Sequence, residues 1–98
     1  MIFEKRMNSV KAIITVTGKD HKGIVASVST KLSDLDVNIL DISQTLMEEY
    51  FTMILLVDFT SSPYSIVEVQ KEMEEIEEKQ KLVVRIQSEA IFDAMHTL

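Results

Sequence analysis

The chain has no cysteine and no tryptophan, a single proline and only two glycines. Without cysteine there is no disulfide, no thiolate metal site and no thiol nucleophile. Long apolar runs are also missing: none approaches the roughly 18 residues of a membrane span. The opening, Met1 to Arg6, has charge but no apolar stretch, so it does not read as a secretory signal. Cytoplasmic residence is the default expectation, and Met7 is a second candidate start. Basic charge is scarce, with ten lysines and arginines against sixteen acids, a net charge of −6. Nucleic-acid binding needs a basic footprint and is not expected. Two histidines are too few to suggest a metal cluster, so neither a metal nor any other cofactor is expected.

What is present is a core. Hydrophobic residues make up 46% of the 98 positions, enough for one folded domain rather than a disordered segment. Residues 1–9 read as an extension and residues 10–98 as the domain. Val10 to Thr17 alternates as a strand, with Val10, Ala12, Ile14 and Val16 on one face. The polar loop Gly18-Lys-Asp-His-Lys-Gly23 follows. A helix is expected from about His21 or Lys22 to Leu35, with Ile24, Val25, Val28, Leu32 and Leu35 as its apolar stripe and Asp20 as its N-cap.

Val37 to Met47 and Phe51 to Phe59 are read as an antiparallel hairpin, turned by Glu48, Glu49 and Tyr50 with Tyr50 and Phe51 packing there. Met53-Ile-Leu-Leu-Val57 is apolar at every position, as in a central strand covered on both faces. Ser65 and Glu68 form a capping box for a second helix with Ile66, Val69, Met73 and Ile76 inward. Its acidic stretch, Glu68 to Glu78, reads as a solvated face. Leu82 to Gln87 is the fourth strand, and Ala90 to Leu98 is expected to form a short terminal helix.

The order is β-α-β-β-α-β. Right-handed crossovers turn it into an α+β, ferredoxin-like fold: a four-stranded antiparallel sheet in the order 4-1-3-2 with both helices on one face. The bare face must then be covered by the terminal segment, by another subunit, or by both.

Fold order alone does not give function. The segment Thr15-Val-Thr-Gly-Lys-Asp-His-Lys-Gly-Ile-Val25 resembles the opening of an ACT domain. Leu35-Asp-Val-Asn-Ile39 resembles the same family's entry to the second strand. Asp41-Ile-Ser-Gln-Thr45, Glu49-Tyr-Phe-Thr-Met53 and Ile91-Phe-Asp-Ala-Met95 are similar to small stand-alone bacterial ACT proteins of unassigned function, with a more distant similarity to the glycine-cleavage repressor type. The resemblance implies a regulatory module that works as a homodimer. Its small-molecule ligand, an amino acid, would lie where the first loop of one copy meets the second strand of the other. On this sequence the implied contacts are Asp20, His21, Lys22, Gly23, Ile24 and Val25 with Asn38 and Ile39, and more weakly Asp41 and Gln44. No catalytic domain is expected to be joined to the module, so regulation would act on a separate enzyme or regulator.

The chemistry suits a zwitterion. Free amides at a helix start attract a carboxylate, Gly23 permits close approach, Asp20 can pair with an ammonium, and Asn38 both donates and accepts. Each residue also has a plain structural use: Asp20 as N-cap, His21 and Lys22 as surface, Asn38 as a strand start, Asp41 and Gln44 as edge polarity.

Rival activities are weaker. Acylphosphatase chemistry needs an arginine in the first loop, and Arg6 and Arg85 lie outside it. No nucleophile–base pair stands out, so no catalytic residue is expected. RNA-recognition sheets need aromatic, basic central strands, which this one lacks. Copper-chaperone chemistry needs thiolates. The remaining alternative is a protein-interaction or dimerisation module with no small ligand.

Overall fold

The computed structural model describes residues 10–90. The expected extension over residues 1–9, and all but the first residue of the expected terminal helix, lie outside the described residues. The elements are β1 (Lys11–Lys19), α1 (Ile24–Asp34), β2 (Asn38–Met47), β3 (Tyr50–Asp58), α2 (Ile66–Glu72), α3 (Glu74–Gln80) and β4 (Leu82–Ser88). The strands form one antiparallel sheet in the order β2-β3-β1-β4.

The two-residue period of the strands decides which face is core. Val16 stands opposite Met53 on one side and Val84 on the other, and all three are fully buried. Val28 and Leu32 of α1 and Val69 and Met73 of the second helical segment are buried with them. Among the described residues no polar or charged side chain is buried. Cohesion here is therefore apolar packing, in which truncating one large side chain costs about 2–5 kcal/mol.

Three expectations need correction. The first helix begins at Ile24, and its N-cap is Gly23 at φ 87°, ψ 2°, with no side-chain cap. Asp20 is therefore not the N-cap. The left-handed turn at Gly23 interrupts the backbone between Asp20 and the helix, and that conformation is cheap only for glycine. The second helix is not continuous but breaks at Met73, although Met73 N–H still donates to Val69 O at 2.9 Å. Tyr50 starts β3 and is exposed; only Phe51 packs at the hairpin.

The capping box is as expected. Glu68 N–H donates to Ser65 Oγ at 3.1 Å, and Ser65 N–H donates to Glu68 Oε1 at 2.8 Å. β3 is central, with Met53, Leu55 and Val57 buried under the helices. On the other face Ile54 is 42% exposed and Leu56 is half-buried.

The two sheet edges differ. On β4, Val84 N–H donates to Glu77 Oε2 at 2.8 Å. Gln70 Nε2 donates to Val84 O, and Ile86 N–H donates to Gln70 Oε1, both at 2.9 Å. Helix side chains thus occupy the edge that another strand would need. Among the described residues only Ile42 N–H of β2 is met by a side chain, Asp41 Oδ1 at 2.8 Å. Leu40, Ile42, Leu46 and Met47 are exposed along that edge.

Candidate functional site

Gly18, next to the last residue of β1, makes a close approach just before the first loop. A Cβ there would lie 2.7 Å from Leu82 Cδ2 and 3.1 Å from Lys81 O. Asp20 N–H then donates to Glu49 O at 2.8 Å, tying the loop to the β2–β3 turn. His21 Nε2 lies 2.9 Å from Gln80 O, and Nδ1 3.1 Å from Lys22 O. Gly23 follows, and a Cβ there would meet nothing within 4 Å. Conformation, not space, requires glycine at that position.

Past Gly23 the start of α1 is electrostatically incomplete. It has no side-chain cap and no acidic residue in its first turn. The amides of Ile24, Val25 and Ala26 precede the first internal acceptor bond, Ser27 N–H to Gly23 O at 2.9 Å. They form the positive end of an eleven-residue helix. Ile24 is itself buried and Val25 half-buried against the core. Those two side chains hold the helix down, and what they offer a ligand is backbone.

Asn38 and Ile39 lie elsewhere. They open β2 and line a hollow of about 470 Å³ with Ser29, Ser33, Asp36, Val37 and Ser61. Asn38 stands opposite Asp58, whereas the loop leaves β1 at Lys19, opposite Tyr50. Eight residue steps along β3 separate those positions, roughly 26 Å at strand spacing. Within one chain, then, the two halves of the expected site are at opposite ends of the sheet. A bulge between Ile39 and Asp41 turns the strand just beyond Asn38. Asp41 and Gln44 are exposed on the edge, on opposite faces.

The sequence did not point to the ionic cluster that joins α1 to the end of α2 and the start of α3. Lys31 Nζ lies 3.4 Å from Glu72 Oε1 and 3.3 Å from Glu75 Oε1, in a groove of about 500 Å³. Partial burial pulls the Lys31 ammonium down, and the Glu75 and Glu72 carboxylates more than reverse this, leaving it raised. The Lys31 hydrogen bond in turn holds Glu75 below its ordinary value. No sequence spacing joins residue 31 to residue 75, so only the packing of the helices reveals the pair. Among the described residues no group of acids and histidines is placed to hold a metal, and no helix is long and apolar enough to cross a membrane.

A family model described as ACT domain matches residues 11–87. A UPF0237 protein of Corynebacterium diphtheriae is 56% identical over 87 residues, covering 89% of this chain and 98% of that protein. The solved structure of an ACT domain protein from Streptococcus pneumoniae is 45% identical, covers 90% of this chain and 99% of its own, and superposes with a TM-score of 0.76. A protein provisionally assigned as a glycine cleavage system transcriptional repressor shares the fold at 22% identity and TM-score 0.71, over 82% of this chain and 46% of that one.

Proposed function

The chain belongs to the ACT domain family, whose members are generally regulatory, and we propose that it binds an amino acid between two copies of itself. The observation that carries this reading is the uncapped, acid-free N-terminus of α1 behind a left-handed glycine. A helix start in that condition favours a carboxylate. The ligand ammonium pairs with Asp20 or with the Asn38 side-chain oxygen.

A dimer supplies the missing half of the site. Strand edges pair, and among the described residues β2 is the edge whose backbone helix side chains leave open. Two β2 strands paired antiparallel about a two-fold axis bring the Asn38 end of one copy towards the Met47 end of the other. The β2–β3 turn at that end holds the first loop through the Asp20–Glu49 hydrogen bond. Ligand occupancy then changes the dimer, and the dimer acts on a separate enzyme or regulator.

A thermal-shift screen of the twenty amino acids tests this. A selective, dose-dependent rise in Tm is expected, because a ligand that binds only the native state stabilises it. A flat response would favour a second reading, a protein-interaction module without a small ligand. The exposed Leu40, Ile42, Leu46 and Met47 along β2 support that alternative.

A further inference from the structure

We propose that the cleft between the first loop and the α3–β4 turn is a second site, separate from the amino-acid site, and that it binds a phosphate group. The cleft encloses about 550 Å³ and is lined by Lys19, His21, Lys79, Gln80 and Lys81. Three lysines and a histidine line one space, with no acidic residue among the lining residues, in a chain whose net charge is −6.

The backbone holds this arrangement in place. Lys81 is the C-cap of α3, at φ 56° and ψ 53°. That is the left-handed position glycine or asparagine fills at least cost. Asp36 and Glu48 hold the same region at φ 58° and 56°, so the conformation fixes the turn, and what Lys81 adds is a lysine in the cleft lining. Gly18 brings the end of β1 against the same turn, where a Cβ would stand 3.1 Å from Lys81 O.

His21 completes the lining. The C-terminal carbonyls of α3 carry partial negative charge and would repel an anion. His21 Nε2 lies 2.9 Å from one of them, Gln80 O, and Nδ1 3.1 Å from Lys22 O. A carbonyl only accepts, so the ring N–H at Nε2 donates to Gln80 O and keeps that oxygen from facing an anion unpaired. Of the three lysines, Lys19 pairs with Glu49 at 3.3 Å and Lys79 with Glu75 at 3.8 Å. Among the described residues Lys81 has no carboxylate partner, which makes it the anchor. Ammonium groups bind phosphate as point charges, and several of them suit a dianion better than a single carboxylate.

The test is calorimetric titration at low ionic strength with inorganic phosphate, pyrophosphate, glycerol phosphate and citrate. Saturable binding of the phosphate compounds, tighter than citrate, is expected. Tighter glycerol phosphate than inorganic phosphate would identify an organic phosphomonoester as the ligand, and the reverse order an inorganic one. Lys81→Asn keeps a side chain suited to the left-handed turn. It should weaken phosphate binding by about tenfold or more, the effect of one charge-assisted contact, without lowering the Tm of the unliganded protein. Lys71→Gln makes the same charge change elsewhere and should leave affinity unchanged. The proposal is overturned by an absence of saturable binding at millimolar phosphate and pyrophosphate, by citrate binding as tightly, or by equal losses in the two variants.

Discussion

At the scale of single residues, backbone conformation and local hydrogen bonds set the constraints. Gly23 is at φ 87° with open space where a Cβ would stand, so substitution there tests conformation alone. Gly23→Ala should cost about 1 kcal/mol, the usual penalty for a β-carbon in the left-handed region. Gly23→Asn should cost clearly less, because asparagine tolerates that region. Urea denaturation of the two variants makes the comparison, and equal losses would mean that something other than φ requires glycine. Asp58 gives a prediction about pH. The Thr60 hydroxyl donates to Asp58 Oδ1 at 2.5 Å and the Thr60 amide at 2.9 Å. These bonds, the hydroxyl first, hold the carboxyl below its ordinary value. A depressed carboxylate contributes stability that is fully present above the unfolded value, near pH 4, and is lost as pH falls through the lower folded value. Asp58→Asn should therefore lose about 1 kcal/mol at neutral pH. The gap to the parent should close in acid. A gap that stays constant down to about pH 2 would assign the loss to packing.

At the scale of elements, helix α2 starts where local chemistry says it must. Ser65→Ala removes one bond of the capping box and leaves the Glu68 amide without its acceptor. It should destabilise the protein by about 1 kcal/mol, read as a lower denaturant midpoint with an unchanged slope. This helix start was legible in the sequence because its signal is complete within four residues. The strands were legible for a similar reason: Ala12, Ile14 and Val16, and Leu82, Val84 and Ile86, each alternate inward with a period of two. The start of α1 was misread because Asp20 offers the stronger capping side chain. The deciding feature is the backbone at Gly23, which composition does not disclose. The break at Met73 was equally invisible, since its neighbours continue the apolar stripe. The protection of the β4 edge could not be read either. It joins Gln70 and Glu77 on the helical segments to the backbone of a strand seven to sixteen residues away.

At the scale of the whole molecule, the candidate site is two half-sites. The first loop and Asn38 are contacts implied by the resemblance to ACT domains, which already assigns them to two different copies. Periodicity gives no sign of their separation within one chain, because it says which face a residue occupies and not which end of the sheet. That separation makes the dimer testable by complementation. Asp20→Ala removes a ligand contact from the loop half, and Asn38→Ala removes one from the β2 half. Each substitution changes an exposed side chain and should change stability little. In the proposed dimer every site draws its loop from one copy and its Asn38 from the other. Either variant alone then has two damaged sites and should bind the amino acid from the thermal-shift screen weakly. A heterodimer of the two variants has one doubly damaged site and one site with both contacts restored. Equal mixing with free subunit exchange makes about half of the dimers heterodimers, so about a quarter of all sites should regain parental affinity. Titration calorimetry on the mixture reads that fraction directly. A single-chain site allows no such recovery, because no chain in the mixture carries both residues. Recovery of the tight-binding fraction would therefore place the ligand across the subunit boundary. A mixture that binds only as weakly as its two components would place the ligand within one chain, and the β2 edge would then have to serve a different partner.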